Sequence, residues 1–167
     1  MLSSEVMLFA VLFVAVATDV KTGKIKNWLT LPALACGPIV HLLQGGKNEA
    51  VLSLAGLGAM LVVAALLLSF RLVGGGDAKL LVAVGSLAGI ALVTNTLLYM
   101  AIAGGLMALI TLILQRRTSA VAGQLARTAF LKLRLGVSIP WALPNRTKLP
   151  YSIAIATGTI VAVFMQP

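Results

Sequence analysis

Apolar residues form six long stretches separated by short polar segments. The stretches cover residues 5–18, 28–43, 50–70, 78–93, 96–114 and 149–165. A membrane-spanning helix needs about 20 predominantly apolar residues, so six of them would use on the order of 120 residues. The pattern therefore predicts an all-α polytopic membrane protein with six transmembrane helices. The stretches 5–18 and 78–93 are short, and we expect their polar ends to lie within the bilayer.

The amino-acid composition also indicates a membrane protein. Hydrophobic residues make up 60% of the 167 residues and charged residues 10%, whereas ordinary soluble domains are roughly 45–50% apolar and about 25% charged. So few charges cannot cover a water-facing surface, which excludes a soluble globular enzyme. A single cysteine also excludes a disulfide scaffold. We expect residues 1–167 to form one transmembrane domain without a separate soluble domain.

The net charge of +9 is explained by membrane orientation. If the N-terminus lies outside, twelve of the thirteen basic residues fall on cytoplasmic segments and only Lys47 falls outside. The positive-inside rule then predicts an N-out, C-out topology and leaves no reason to expect a nucleic-acid partner. No basic residue precedes 5–18, so we expect a retained helix rather than a signal peptide. The long loop at about 115–148 should lie at the cytoplasmic interface near anionic lipid, with substrate docking as the alternative.

The chain contains only two aspartates, Asp19 and Asp77. The topology places both at cytoplasmic helix ends, and a carboxylate at membrane depth indicates a functional site. Two neighbouring carboxylates share one proton, which suits water attack on a peptide bond. Helix dipoles favour Asp77 as the ionised base and Asp19 as its protonated partner. Alternatively, both are interfacial loop residues paired with Lys21 and Lys79.

Three sequence segments carry a family resemblance. Gly74-Gly75-Gly76-Asp77 followed by Lys79, the turn from Asp19 to Asn27, and the segment 148–156 resemble the GxGD intramembrane aspartyl proteases, specifically the type IV prepilin peptidases. Many members have proline where Lys26 stands and glycine where Ser152 stands. We expect neither departure to touch a carboxylate.

The resemblance implies a cut at the cytoplasmic face that removes the short basic leader of a type IV prepilin. It implies Asp19 and Asp77 as catalytic residues, with no metal and no organic cofactor. Asn27 would cap the second helix or help to place Asp19. Lys79 would steady the acid pair or anchor the topology, and Tyr151 would line the substrate path or sit in the aromatic belt. The supporting or substrate-contacting positions are Gly74, Gly76, Lys79, Asn27, Pro150 and Tyr151.

Larger bacterial members carry a cytoplasmic cysteine-pair domain and also methylate the new N-terminus. This chain has one cysteine, Cys36, so methylation is not expected. Its size resembles that of the small TadV/CpaA-like peptidases of tight-adherence (Flp) pili in the bacterial inner membrane, and an archaeal prepilin peptidase is similar in motif. The competing functions are a proton- or ion-coupled transporter that uses the two aspartates and a non-catalytic membrane subunit of a secretion machine. Cytoplasmic helix ends favour the protease, because transporters place such acids near the midplane.

Overall fold

A computed structural model describes residues 2–70, 72–114 and 151–165, and the elements in these ranges are helices without strands. The predicted all-α class is confirmed. The predicted interfacial loop at about 115–148 and Pro150 lie outside the described residues. The helices are α1 (Leu2–Thr22), α2 (Asn27–Ser69), α3 (Gly75–Ala88), α4 (Ile90–Leu114) and α5 (Tyr151–Phe164).

Helix α2 folds back on itself at Gly46, which has φ 74° and ψ −161°. A Cβ atom added at Gly37 would lie 2.6 Å from the carbonyl oxygen of Ser86, and one added at Gly56 would meet the carbonyl oxygen of the neighbouring Gly85. A straight helix would separate Gly37 and Gly56 by about 28 Å. Both segments of α2 therefore run along α3 in opposite directions, so the apolar stretches 28–43 and 50–70 are distinct helical segments. The number of membrane crossings stays a prediction.

Helix α3 is the centre of the bundle and packs against α1, α2 and α5. Every residue from Ala78 to Leu87 is buried except Lys79. Small residues allow this close packing, as they do between helices in lipid. The helix ends at Gly89, whose φ of 71° is readily adopted only by glycine.

Two of the described helices expose long apolar surfaces. Asn27–Ser69 and Ile90–Thr111 are long and apolar enough to cross a membrane. In the most apolar window of Asn27–Ser69, only 22% of the residues are buried inside the protein. The core helix of a soluble protein would be mostly buried, so this exposed apolar surface is suited to lipid.

Helices α1 and α5 are antiparallel. The rings of Phe9 and Phe164 stack with centroids 6.3 Å apart, while Asp19 and Ser152, at the other ends of the same helices, are hydrogen-bonded. The end of α1 thus meets the start of α5. These residues belong to a compact unit formed by Met1–Gly104 and Pro150–Pro167; Gly105–Leu149 form a second unit, whose described part is the end of α4.

Candidate active site

Asp77 lies in the first turn of α3, where the backbone N–H of Gly74 donates a hydrogen bond to its Oδ2 atom at 3.2 Å. A carboxylate at the third helical position commonly reaches back to the N-cap residue in this way. A Cβ atom at Gly74 would lie 3.1 Å from the same oxygen. Because Gly74 has no side chain, the carboxylate of Asp77 can occupy the space beside it.

Asp19 lies half-buried in the last turn of α1. The hydroxyl of Ser152, a residue with 0% exposure, donates a hydrogen bond to Asp19 Oδ2 at 2.6 Å. This distance is typical of a hydroxyl bound to an ionised carboxylate. The expectation that the glycine-to-serine departure would touch no carboxylate is wrong, because antiparallel packing brings the start of α5 against the end of α1.

The two aspartates are close enough for their charges to interact. Asp77 precedes the apolar stretch 78–93, and burial raises its pKa above the ordinary value of 3.8. The Gly74 N–H opposes this shift, while the charge of Asp19 adds to it. The net direction is opposite to the one expected from the helix dipole, because desolvation outweighs the favourable helix terminus. Asp77 is therefore the member of the pair with a structural reason to keep its proton.

The connection between α1 and α2 packs onto the glycine turn before Asp77. Gly23, with φ 63°, follows the last residue of α1, and Ile25 in this connection is buried. A Cβ atom at Gly76 would lie 3.2 Å from Ile25 Cβ and 3.4 Å from Ile25 N, whereas one at Gly75 would meet nothing within 4 Å. Gly76 is thus the glycine that allows the two segments to approach.

A second contact joins the same segments, since Lys79 Nζ donates a hydrogen bond to Asn27 Oδ1 at 2.9 Å. Lys26 is the N-cap residue of α2 and makes no side-chain cap bond, while Asn27 is already inside the helix. The predicted capping role of Asn27 is therefore wrong. The hydrogen bond between Lys79 and Asn27 instead connects the start of α2 to the second turn of α3.

Tyr151 belongs to the same end of the bundle. Its side chain is half-buried, the charge of Asp77 acts on its phenol, and a Cβ atom at Gly104 would lie 3.3 Å from its hydroxyl oxygen. His41 lies away from this site, with its Nε2 atom 2.9 Å from the carbonyl oxygen of Leu87, near the other end of α3. In the ranges 2–70, 72–114 and 151–165, no three His, Cys, Asp or Glu side chains cluster as metal ligands.

This part of the bundle therefore combines both predicted catalytic residues with most of the predicted supporting ones. Asp19, Asp77, Gly74, Gly76 and Tyr151 come together, and Lys79 and Asn27 connect the segments around them. A pair of interacting carboxylates, one favoured in its protonated form, can perform general acid and general base catalysis.

Comparison with known proteins identifies the family. No curated protein and no solved structure matches the chain. The model of the type IV leader peptidase family matches residues 6–109, more than half of the 167 residues, and this range contains both aspartates and the glycine turn. The chain therefore belongs to the type IV leader peptidase family.

Proposed function

We propose that this protein is an aspartyl endopeptidase that removes the leader of type IV prepilins, with Asp19 and Asp77 as its catalytic residues. The observation that carries this proposal is the meeting of two distant aspartates at one end of the helix bundle, within the part of the chain that matches a peptidase family. An enclosed, polarised pair of carboxylates is suited to peptide hydrolysis without a covalent intermediate.

The geometry supports a specific division of roles. Asp77 holds the shared proton because burial raises its pKa, and the negative charge then falls on Asp19. Asp19 takes a proton from a water molecule, and the oxygen of that water attacks the scissile carbonyl carbon. At the same time Asp77 donates its proton to the carbonyl oxygen. When the C–N bond breaks, Asp19 gives its proton to the leaving amine, while the hydroxyl of the tetrahedral intermediate returns a proton to Asp77. Both carboxyl groups recover their starting states.

Charge supports a cytoplasmic location for the site. Lys24 and Lys26 in the α1–α2 connection and Lys79 in α3 are exposed at the end of the bundle that contains the aspartates, while Lys47 follows the reversal at Gly46 at the opposite end. The positive-inside rule then favours the cytoplasmic face for the aspartates, and the resemblance to the small family members implies a bacterial inner membrane. The basic leader of the substrate would enter from the cytoplasm, and its apolar helix would lie in the bilayer.

The proposed substrates are Flp-type prepilins of tight-adherence pili, as the resemblance to the small members implies. The same resemblance supports cleavage without N-methylation. The mass of the product distinguishes cleavage alone from cleavage followed by N-methylation, because the N-terminus becomes about 14 Da heavier for each methyl group added. We expect the mature pilin to carry a free, unmethylated α-amino group, as measured by intact mass.

Co-expression with a Flp-type prepilin tests the proposal. We expect wild type to convert the precursor to a faster-migrating product, and Asp19→Asn and Asp77→Asn each to abolish conversion. Glu5→Gln is the matched control, because it neutralises an acid in α1 about 21 Å from Asp19 along the helix. Cleavage by both aspartate variants would show that the carboxylate mechanism is wrong. An inserted wild type that cleaves no prepilin would favour the transporter and the non-catalytic subunit.

Cysteine labelling tests the topology separately. In a Cys36→Ser background, Lys24→Cys should react with a membrane-impermeant maleimide only from the cytoplasmic side, and Lys47→Cys only from the outside. Both lysines are exposed, so neither needs unfolding to react. The reverse labelling pattern would contradict the proposed orientation while leaving the peptidase activity open.

A further inference from the structure

Ser152 is the second residue of α5, and its hydroxyl makes a contact with another helix. Other hydroxyls of α5 donate to a carbonyl oxygen one turn earlier in the same helix, as those of Thr157 and Thr159 do. Ser152 instead donates to Asp19 Oδ2, from α5 to α1 across 133 positions of sequence, at 2.6 Å. The residue is fully buried, so water does not compete for the hydroxyl as it would at a surface.

We propose that Ser152 is a positioning residue that holds the ionised carboxylate of Asp19 in its reactive orientation. The inference rests on the proposed peptidase function. It goes beyond that function, because the motif that this segment resembles has glycine here and so lacks a hydroxyl. By fixing Oδ2, Ser152 stops the carboxylate from rotating and directs Oδ1 towards the attacking water. A held orientation of this kind raises the rate without contact between the positioning residue and the substrate.

The same hydrogen bond polarises the carboxyl pair. A donor facing a carboxylate stabilises its ionised form, so Ser152 keeps the negative charge on Asp19 while Asp77 keeps the shared proton. Among the described residues, Tyr151 on α5 interacts with Asp77, and the exposed Lys79 lies two residues after Asp77 in α3. Tyr151 is uncharged at neutral pH, and Lys79 donates its hydrogen bond to an amide oxygen rather than to either aspartate.

Removal of the hydroxyl should change both the rate and its pH dependence. For Ser152→Ala we expect kcat to fall by about 10- to 100-fold, the range for loss of a hydrogen bond to a charged group. KM should change little, because Ser152 does not touch the substrate. The acidic limb of the pH–rate profile should move to higher pH, because the ionised form of the carboxyl pair loses a hydrogen-bond donor. Ser152→Thr, which keeps the hydroxyl, should keep the wild-type limb.

Thr159→Val is the matched control on the same helix. Thr159 is also fully buried, but its hydroxyl donates to the carbonyl oxygen of Ile155 at 2.7 Å, within α5. The substitution removes a buried hydroxyl of similar environment without reaching a carboxylate. A general loss of packing in α5 would affect both variants, whereas loss of the contact to Asp19 would affect only Ser152→Ala.

The experiment uses the full-length protein in liposomes with a purified prepilin, and records kcat, KM and the pH–rate profile of each variant. The position of the acidic limb does not depend on the amount of folded enzyme, so it decides the question even if Ser152→Ala is obtained in low yield. If wild type cleaves with both aspartates required, and Ser152→Ala has the wild-type rate and limb, the positioning role is refuted and the proposed function stands. If wild type cleaves nothing, the proposed function fails, and this inference fails with it.

Discussion

The close approach of α2 and α3 at Gly56 allows a quantitative test of the packing that holds α3, and with it Asp77, in place. In Gly56→Ala the new Cβ atom would lie 2.6 Å from the carbonyl carbon of Gly89 and 2.8 Å from the backbone nitrogen of Ile90, whereas ordinary contact begins at 3.4 Å. These are backbone atoms, so no rotamer change can relieve the overlap. Relief of the contact with Gly89 alone requires a separation of about 0.8 Å, and the carbonyl oxygen of Gly85 is closer still, in a region packed at the density of a protein interior.

The expected cost follows from that displacement. Overpacking of a well-packed core costs about 1–3 kcal/mol, while replacing glycine by alanine within a helix recovers up to about 1 kcal/mol. Gly58→Ala measures the second contribution alone, because a Cβ atom there meets nothing within 4 Å. The difference between the two variants should therefore be about 1–3 kcal/mol, or about 2–12 °C in unfolding temperature for a chain of this size.

Thermal unfolding in detergent, followed with a thiol-reactive fluorescent dye, measures this difference. Cys36 is the only cysteine in the sequence and is partly buried, so its labelling rate increases when the bundle opens. We expect Gly56→Ala to unfold at a lower temperature than Gly58→Ala and to cleave prepilin more slowly below that temperature. Equal unfolding temperatures for the two variants would show that the α2–α3 contact is looser than the structure indicates.

Three further predictions concern the candidate active site. The pKa of Asp77 is higher in the folded protein than in the unfolded chain. Its contribution to stability is therefore present below about pH 4 and is lost as the pH rises through the folded pKa. Asp77→Asn should unfold at a higher temperature than wild type at pH 7, and this difference in unfolding temperature should shrink on acidification. Gly76→Ala should fold but lose about threefold to tenfold in activity, because the α1–α2 connection must move by a few tenths of an ångström against the site, whereas Gly75→Ala should match wild type in the same cleavage assay. Lys79→Met and Asn27→Ala should each lower the cleavage activity. The double variant should lose no more activity than either single variant, because both substitutions remove the same hydrogen bond. Additive losses of activity would contradict this pairing.

The apolar pattern was enough to predict the helical class and the approximate position of most helical segments. Six apolar stretches predicted six helical segments. The stretches 5–18, 28–43 and 96–114 lie within described helices, and the reversal at Gly46 separates 28–43 from 50–70. The stretch 78–93 was placed too late in the chain, because α3 ends at Ala88 and α4 begins at Ile90. The prediction of helices works because a chain in lipid must satisfy its backbone hydrogen bonds internally, so a long apolar stretch has few alternatives to a helix. Asp19 and Asp77 could be found because aspartates are costly in such a setting, and the chain contains no others.

The packing of the helices determines which side chains meet and which protonation state burial favours. Ser152 was visible in the sequence as a hydroxyl within an apolar stretch, but its contact with Asp19 depends on the antiparallel packing of α1 and α5. The bond between Asn27 and Lys79 likewise requires the fold, because the local sequence favours a cap at Asn27. The pKa of Asp77 depends on how many neighbours exclude water from its carboxyl group. Helix position alone gave the wrong direction for that pKa, because desolvation by distant parts of the chain outweighs the local effect of the helix terminus.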